Sequence, residues 1–448
     1  FLLRNLLDTA DMGDFLARAR DPQRCPDRTL SELTSIPNAL AIAAAQWQRG
    51  RAPCADAPLR NLRRKFYPAR DPEAAAKPVL VVASPYAVYP PAHGGAIRIA
   101  ELLRSLAARY RVVVLSDEER LYSQQSAAHF AGLDAVHLVG GRPAERPSDV
   151  GRRIPRILNH THAAFRAELR RLLLSYEPAI VQIEYVELAA AVEERRDGAA
   201  WFLTLHDALF SADGTSEDDR FERALLERYD AAIVCSPEDG ALVRGVPAEV
   251  VPNGTRLATV PYVPSRGNTE ILFAGPFRYV QNLEGIREFL ETVYPVLKRA
   301  VPDVRVTVLG GDGAPEIARG IGCFDQPGVE VRDYVADVAP LLERCALTIN
   351  PQYGIRGSSI KLIESVAAGR VCVSTRDGAR GFLDAGYPAL VVVDLIADFV
   401  PPLERLLLDE PYRLALEKPD AAMREATSWA SSGDRLLEVY RRYGAPGG

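Results

Sequence analysis

The chain has 448 residues, more than one hydrophobic core usually organises, so we expect two or three domains. A hydrophobic content of 48% with 25% charged residues excludes a disordered or fibrous chain. The net charge of -5 gives no whole-surface attraction to nucleic acid, so we expect no nucleic-acid partner.

The cysteine and apolar patterns indicate the compartment. Six cysteines are scattered with no pair at metal-ligand or redox spacing, as expected in a reducing cytoplasm. We recognise no leader segment, and no apolar run reaches the roughly eighteen residues that a spanning helix needs. We therefore expect a cytoplasmic protein and leave open a peripheral association with the inner face of a membrane.

Residues 1–76 differ from the rest of the chain. Apolar stretches at 1–7 and 39–47 are separated by proline-rich breaks, which predicts an N-terminal helical extension. Its function is not readable from the residues.

Residues 77–258 alternate short apolar runs with amphipathic stretches. Continuous apolar strands separated by helices indicate a parallel sheet covered on both faces. The predicted strands are 79–83, 111–115, 135–139, 179–183, 201–205, 231–235 and 249–251, with helices that include 96–108, 163–175 and 220–229.

Residues 259–428 repeat this alternation after a proline-rich linker. The predicted strands are 269–274, 304–309, 329–331, 346–349, 371–374 and 389–393, with helices at 283–301 and 335–344 and a short one before Gly369. Segment 429–448 adds a last helix near 434–443. We thus predict an α/β protein of two tandem Rossmann-like, doubly wound domains. Ligands bind beyond the carboxyl ends of such strands, so we expect the site in a cleft that both domains face.

The segment GIRGSSIKLIESVAAG (354–369) combines a helix start with positive charge. Its apolar residues recur at helical spacing, and Ser358 or Ser359 can cap the start. Lys361 and Arg356 lie at this start, although the positive end of a helix dipole favours acids by up to about 1 kcal/mol.

A bound anion would account for these cations. Free amides at a helix start following a strand bind phosphates, and Lys361 and Arg356 are favourable beside a diphosphate. Glu364, one turn later, suits sugar hydroxyls instead. The alternative is that Lys361 extends to solvent and pairs with Glu364, which contributes only about 0.2–0.5 kcal/mol.

Two strand ends in the first domain offer further candidates. Gly94 and Gly95 open a helix after the first strand, where amides can approach an anion, although a plain tight turn has the same sequence. His206 and Asp207 follow strand 201–205. His206 can reach the site or serve a structural role, and Asp207 can orient it or cap the next segment.

The sequence shows no set of residues at metal-site spacing, so we predict no metal. It also lacks a G-x-S-x-G elbow, so acyl transfer has no candidate nucleophile.

The motifs that follow occur in one order along residues 78–443. They are PAHGGAIR (91–98), LHD (205–207), AAIVCS (231–236), VVPNG (250–254), LFAGP (272–276), VEVRDYV (329–335) and IKLIESVAAG (360–369). This set resembles the retaining, nucleotide-sugar-dependent glycosyltransferases of the GT-B fold, and specifically glycosyltransferase family 4. In that family the last helix crosses back onto the N-terminal domain.

The resemblance implies roles for the matching residues. Glu364 would accept from the donor ribose, and Lys361 and the amides near Ser358 and Ser359 would hold the diphosphate. His206 would contact the donor sugar at the reaction centre, which makes His206 and Lys361 the expected catalytic residues.

The remaining expected contacts divide between donor and acceptor. The further donor-binding residues are Gly275, Arg278, Asn282, Arg356, Gly94 and Gly95, and the acceptor-binding residues are His93, Arg98 and Asp207. No cofactor is expected beyond the nucleotide-sugar donor substrate.

Two positions depart from the family pattern. Many members have a glutamate eight positions before the ribose-binding one, where this chain has Arg356. Many also carry an Arg and a Lys after the Phe-x-Gly glycine, where this chain offers Arg278 and, near the expected Lys, Asn282. Arg356 could therefore bind a phosphate or an acidic group of the donor.

The expected function is retaining transfer of a sugar from a nucleoside-diphosphate-sugar to a hydroxyl of a glycan or glycolipid. Bacterial polysaccharide or glycolipid assembly is the usual setting of such relatives. A GT-B epimerase or phosphorylase, and a non-catalytic GT-B subunit that binds a glycan or partner, are the alternatives. A two-domain solute-binding protein fits less well.

Overall fold

The structure, a computed structural model, describes residues 63–66, 77–89, 91, 93–118, 129–130, 132–210, 215–335, 337–419 and 421–444. These residues divide into two compact units. Unit 1 contains the described residues up to Val234, with Ala241–Glu249 and the described part of Gly433–Gly448. Unit 2 contains Cys235–Gly240 and Val250–Ser432.

Unit 1 is built on an eight-stranded sheet. Its strands are β1 (Arg63–Phe66), β2 (Val79–Ser84), β3 (Arg111–Ser116), β4 (Ala135–Val139), β5 (Ile180–Glu184), β6 (Ala200–Leu205), β7 (Ala231–Val234) and β8 (Ala248–Val250). They lie in the order β1-β4-β3-β2-β5-β6-β7-β8, and β2 to β7 pair in parallel. The strand order reverses between β2 and β5, which is where a doubly wound sheet binds ligands.

Unit 2 has a six-stranded, wholly parallel sheet. Its strands are β9 (Glu270–Ala274), β10 (Arg305–Leu309), β11 (Val329–Arg332), β12 (Leu347–Asn350), β13 (Val371–Thr375) and β14 (Leu390–Val393). Their order, β11-β10-β9-β12-β13-β14, is that of a Rossmann sheet, with the reversal between β9 and β12.

Helices connect most of these strands. In chain order the described α-helices are α1 (Gly94–Ala107), α2 (Arg153–His160), α3 (Ala163–Tyr176), α4 (Glu217–Leu226), α5 (Pro237–Gly240), α6 (Val280–Glu288), α7 (Tyr294–Ala300), α8 (Ala314–Ala318), α9 (Ala339–Arg344), α10 (Ile360–Ala367), α11 (Val400–Leu408), α12 (Glu410–Glu417), α13 (Ala421–Ala426) and α14 (Trp429–Arg442). A π-helical turn, Phe289–Val293, joins α6 to α7. Within the described part of the chain, no helix has both the length and the apolarity to cross a membrane.

Burial explains why the apolar runs become strands. All six residues of β2 and all five of β13 are buried, as expected for parallel strands with helices on both faces. Helix α10 places Leu362, Ile363 and Val366 in the same cluster as Cys372 of β13, and each such aliphatic side chain contributes about 1.5–3 kcal/mol when fully buried.

The predicted α/β class with two doubly wound sheets is confirmed. Each predicted strand between residues 77 and 428 is present, with its ends within one residue of the prediction. The last helix begins earlier than predicted, at Trp429, because Ser428 Oγ accepts from the Ser431 amide at 3.1 Å.

The predicted helical extension 1–76 lies outside the described residues except for Arg63–Phe66. Those four residues form a strand rather than a helix, because they pair antiparallel with the free edge of β4, with Arg63 opposite Val139. Charged residues are common on such edges, where they discourage pairing with further chains.

Helix α10 ends at a glycine, as the sequence indicates. Gly369 has φ of +78°, in the left-handed region that favours glycine. A methyl group at this position would overlap the ring of Tyr262 and lie 3.0 Å from the Glu417 carbonyl oxygen.

Gly369→Ala is therefore expected to lower the free energy of unfolding by about 1–2 kcal/mol. The shift of the urea midpoint measures this effect. Gly322→Ala is the matched control, because a methyl group at Gly322 meets no atom within 4 Å. Equal midpoints for the two variants would contradict the prediction.

Candidate functional site

The start of α10 holds Lys361 away from acids. The Lys361 ammonium donates to Asn282 Oδ1 at 2.7 Å and lies 5.2 Å from the centre of the Phe273 ring. The alternative of a solvent-extended Lys361 paired with Glu364 is wrong, because the side chain turns inward to the amide of Asn282. No described carboxylate forms an ion pair with it.

The surroundings of Lys361 and Glu364 perturb both groups. Burial lowers the pKa of Lys361 to about 7. Burial, with a smaller contribution from Asp337, raises the pKa of Glu364 to about 7. Both side chains line a cavity of about 20 Å³ beneath the end of β12, together with Asn350. Burial thus disfavours the charge on each group, and a ligand that complements those charges would restore it.

Gly275, Asn282 and Lys361 come together in unit 2. A methyl group at Gly275 would lie 2.7 Å from Asn282 Oδ1, so glycine is what lets Asn282 approach the end of β9. Asn282 Nδ2 donates to the Pro276 carbonyl at 2.9 Å, which turns its oxygen toward Lys361. Arg278 is exposed, and its guanidinium lies 5.0 Å from the centre of the Tyr279 ring.

The loop before α10 leaves a polar group without a partner. Ser359 precedes the helix but makes no side-chain cap, and its buried Oγ has no partner among the described residues. Ser358 Oγ accepts from Asn253 Nδ2 at 2.9 Å, and the Gly357 amide donates to Asp239 Oδ2 at 2.8 Å. Arg356 is exposed. The loop is therefore fixed on one side, while Ser359 Oγ remains available to a ligand.

In unit 1 the structure brings Gly95 and His206 together. His206 follows β6, and Gly95 lies in the first turn of α1. A methyl group on Gly95 would lie 3.2 Å from His206 Nδ1. The other ring nitrogen, Nε2, lies 2.7 Å from Oε2 of Glu184, the last residue of β5. The imidazole is thus held by a buried carboxylate and presents Nδ1 toward the start of α1.

The other predicted residues of unit 1 have different surroundings. His93 caps α1, since its Nδ1 accepts from the Ala96 amide at 3.3 Å, and Gly94 begins that helix. Asp207 is exposed. Arg98 is 1% exposed on the inner face of α1 and offers an acceptor no accessible surface in this structure.

Sequence reasoning missed Glu184 and Tyr185. Tyr185 has φ of +66°, a conformation that costs a non-glycine residue about 1–3 kcal/mol and is concentrated at functional sites. Its ring stacks on His206 with centroids 3.8 Å apart, and its buried hydroxyl has no partner among the described residues. Burial and the nearby Glu184 carboxylate raise its pKa, so the hydroxyl keeps its proton. The available signal was the polar QIEY run (182–185), which ends an otherwise apolar strand.

No group of three or more His, Cys, Asp or Glu side chains is arranged to hold a metal ion in the described part of the chain.

Family models match both units. The Glycosyl transferase 4-like domain matches residues 93–254, and the family described as Glycosyl transferases group 1 matches residues 268–409. A D-inositol 3-phosphate glycosyltransferase of Nocardiopsis dassonvillei is 26% identical over 249 residues, which cover 50% of this chain and 54% of that protein. The chain spans about half the length of this curated relative.

Solved structures share the fold. Sucrose-phosphate synthase from Thermosynechococcus elongatus matches with a TM-score of 0.62 at 16% identity, over 82% of this chain and 99% of that one. Anabaena HepE in complex with UDP matches with a TM-score of 0.62 at 14% identity, over 81% of this chain and 100% of that one. An α,α-trehalose 6-phosphate synthase from Burkholderia multivorans matches with a TM-score of 0.60 at 12% identity, over 82% of this chain and 99% of that one.

In its two Rossmann-like sheets and in these matches the chain is similar to the glycosyltransferases of the GT-B fold. Within that class it resembles glycosyltransferase family 4, as the motif order predicted.

Proposed function

We propose that the chain is a retaining glycosyltransferase that moves a sugar from a nucleoside-diphosphate-sugar to a hydroxyl of a glycan or glycolipid. The observation that carries the proposal is Lys361, a partly buried cation at a helix start that bonds only a neutral amide oxygen. A cation in such surroundings is costly without an anionic partner and favourable beside a diphosphate. UDP and UDP-glucose, which Anabaena HepE binds, are the first donor ligands to test.

In this proposal the chemistry is stabilisation of the leaving group. The diphosphate gains negative charge as the glycosidic bond breaks, so Lys361 and the amides at Ser358 and Ser359 bind the transition state better than the ground state. Glu364 holds the ribose. The leaving phosphate takes the acceptor proton on the same face of the sugar, so the reaction retains the anomeric configuration and needs no protein nucleophile. Lys361 and the helix dipole supply the positive charge, so the transfer is proposed to be independent of metal.

Unit 1 would hold the transferred sugar. His206 Nδ1 and the start of α1 at Gly95 border one spot, with the Tyr185 hydroxyl beside it. We assign sugar contact to His206 and diphosphate contact to Gly94 and Gly95. His93 and Asp207 are proposed for the acceptor side. Arg98 is left out because of its burial.

The biological setting follows only from the family. Bacterial polysaccharide or glycolipid assembly in the cytoplasm, with peripheral association at the inner face of the membrane, is the setting we propose. The names of the relatives contain phosphorylated compounds, namely D-inositol 3-phosphate, sucrose-phosphate and trehalose 6-phosphate. A screen for the acceptor should therefore include phosphorylated hydroxyl compounds.

Calorimetric titration with UDP, GDP, ADP and dTDP tests the donor site. One nucleotide should bind to the wild type, and Lys361→Ala and Glu364→Ala should each weaken it by tenfold or more, about 1.4 kcal/mol. Lys418→Ala is the control, because Lys418 is exposed in unit 2. Failure of every nucleotide to bind, or binding that ignores both substitutions, would reject the proposal.

Turnover separates the transferase from a non-catalytic subunit. The wild type should release UDP from UDP-glucose when a sugar acceptor or water takes the glycosyl group. Donor that binds but never turns over with any acceptor would favour the non-catalytic alternative, which the exposed Arg356 at the donor loop keeps open.

A further inference from the structure

A chain of buried hydrogen bonds joins the last helix of the protein to His206. Tyr440 of α14 donates from its hydroxyl to Gln182 Oε1, and Gln182 Nε2 donates to Glu184 Oε1. The other carboxylate oxygen of Glu184 lies 2.7 Å from His206 Nε2. Tyr440 is 0% exposed, Gln182 and Glu184 are 2% exposed and His206 is 8% exposed, so water does not compete for these groups.

The order of donors fixes the imidazole. The Tyr440 hydroxyl keeps its proton because burial raises its pKa, and it donates to the Gln182 amide oxygen. The Gln182 amide nitrogen then faces Glu184, whose carboxylate can only accept. His206 must therefore carry its proton on Nε2, which leaves the Nδ1 lone pair facing Gly95.

The packing of α14 holds the first member of this chain. The Tyr440 ring lies edge-on to Tyr110, with centroids 5.9 Å apart, and packs against Phe202 of β6 at 5.1 Å. Gln182 and Glu184 both lie on β5, two residues apart, so their side chains share one face of the sheet. Without the Tyr440 hydroxyl, the buried Gln182 oxygen would lose its donor, and the amide that contacts Glu184 would be held from one side only.

We propose that Glu184 sets the tautomer of His206, and that Tyr440 and Gln182 are positioning residues that hold the Glu184 carboxylate and thereby the orientation of His206. The ring then presents Nδ1 as an acceptor for a hydroxyl of the transferred sugar. This role of Nδ1 rests on the proposed glycosyltransferase function, whereas the tautomer itself does not.

The nitrogen NMR spectrum of the histidines tests the tautomer without any substrate. In the wild-type protein we expect the His206 signals, assigned by their loss in His206→Asn, to show a ring that carries a proton on Nε2. Tyr440→Phe should shift or broaden these signals, because Gln182 and Glu184 are then held less firmly against His206. Tyr110→Phe is the matched control, because it removes a neighbouring buried hydroxyl that has no partner among the described residues. A wild-type ring protonated at Nδ1, or equal spectra for both variants, would overturn the proposal.

Turnover then tests the consequence for the reaction. Tyr440→Phe should lower kcat for UDP-glucose turnover about tenfold, with the Kd for UDP unchanged, while Tyr110→Phe leaves both at the wild-type value. Altered His206 signals in Tyr440→Phe together with a wild-type kcat would reject the role of Nδ1 in transfer. If the wild type shows no turnover at all, the proposed function fails, and the spectra still decide the hydrogen-bond chain.

Discussion

Two variants of the donor site are expected to bind UDP-glucose with opposite pH dependence. In Glu364→Gln only Lys361 titrates, and affinity should fall about tenfold from pH 6 to pH 8. In Lys361→Met only Glu364 titrates, and affinity should rise about tenfold over the same range. The ratio of the two affinities therefore changes about a hundredfold.

The signs follow from the free-state pKa values. Burial opposes the charge of Lys361 and lowers its pKa to about 7, and a bound diphosphate would raise that pKa. The protonated form binds, so affinity is complete below pH 7 and is lost as the pH rises. Glu364 also titrates near 7, and ribose hydroxyls would stabilise its carboxylate and lower that value. Its contribution is therefore present above pH 7 and is lost as the pH falls.

Isothermal titration calorimetry at pH 6, 7 and 8 makes this measurement. UDP-glucose suits it because its diphosphate diester does not titrate in this range. The wild type should show a broad optimum near pH 7, and the double variant Lys361→Met/Glu364→Gln should show no trend. Parallel curves for the two single variants would show that these groups do not control donor binding.

The strands and the α10 cation could be predicted because each depends on residues that are close in sequence. Apolar runs such as VLVVA (79–83) are typical of sheets that helices cover on both faces, so the pattern identifies buried parallel strands. The unusual position of Lys361 could be predicted because the start of a helix disfavours positive charge. A few consecutive residues are enough to recognise such a start.

The partners of these groups could not be predicted, because they depend on the order of strands. Asn282 and Lys361 are 79 residues apart, and they meet because the strands that precede them, β9 and β12, are neighbours at the point where the order reverses. Glu184 meets His206 because β5 and β6 are adjacent. The positive φ of Tyr185 could not be predicted from the sequence, because tyrosine rarely adopts it, whereas a glycine at this position would have suggested it.

An alanine at Gly95 is expected to lower sugar transfer about a hundredfold. The added methyl group would overlap the hydroxyl oxygen of Tyr185, whose ring stacks on His206. Tyr86 packs edge-on against the same ring at 5.1 Å, so Tyr185 cannot move freely toward Tyr86. The strain therefore passes to His206, and a displacement of about 1 Å at a reacting group commonly costs a hundredfold in rate.

Release of UDP from UDP-glucose, measured beside the Kd for UDP, distinguishes this effect from unfolding. Gly95→Ala should lower turnover far more than it weakens the binding of UDP, because Lys361 and Glu364, the main proposed nucleotide contacts, lie in unit 2. Gly322→Ala controls for the substitution itself. In a Tyr185→Phe background the nearest atom is a ring carbon 2.9 Å away, so the loss caused by Gly95→Ala should shrink. Wild-type turnover in Gly95→Ala would mean that Tyr185 and His206 can move without slowing the reaction. Neither residue would then need to be held in place in the transition state.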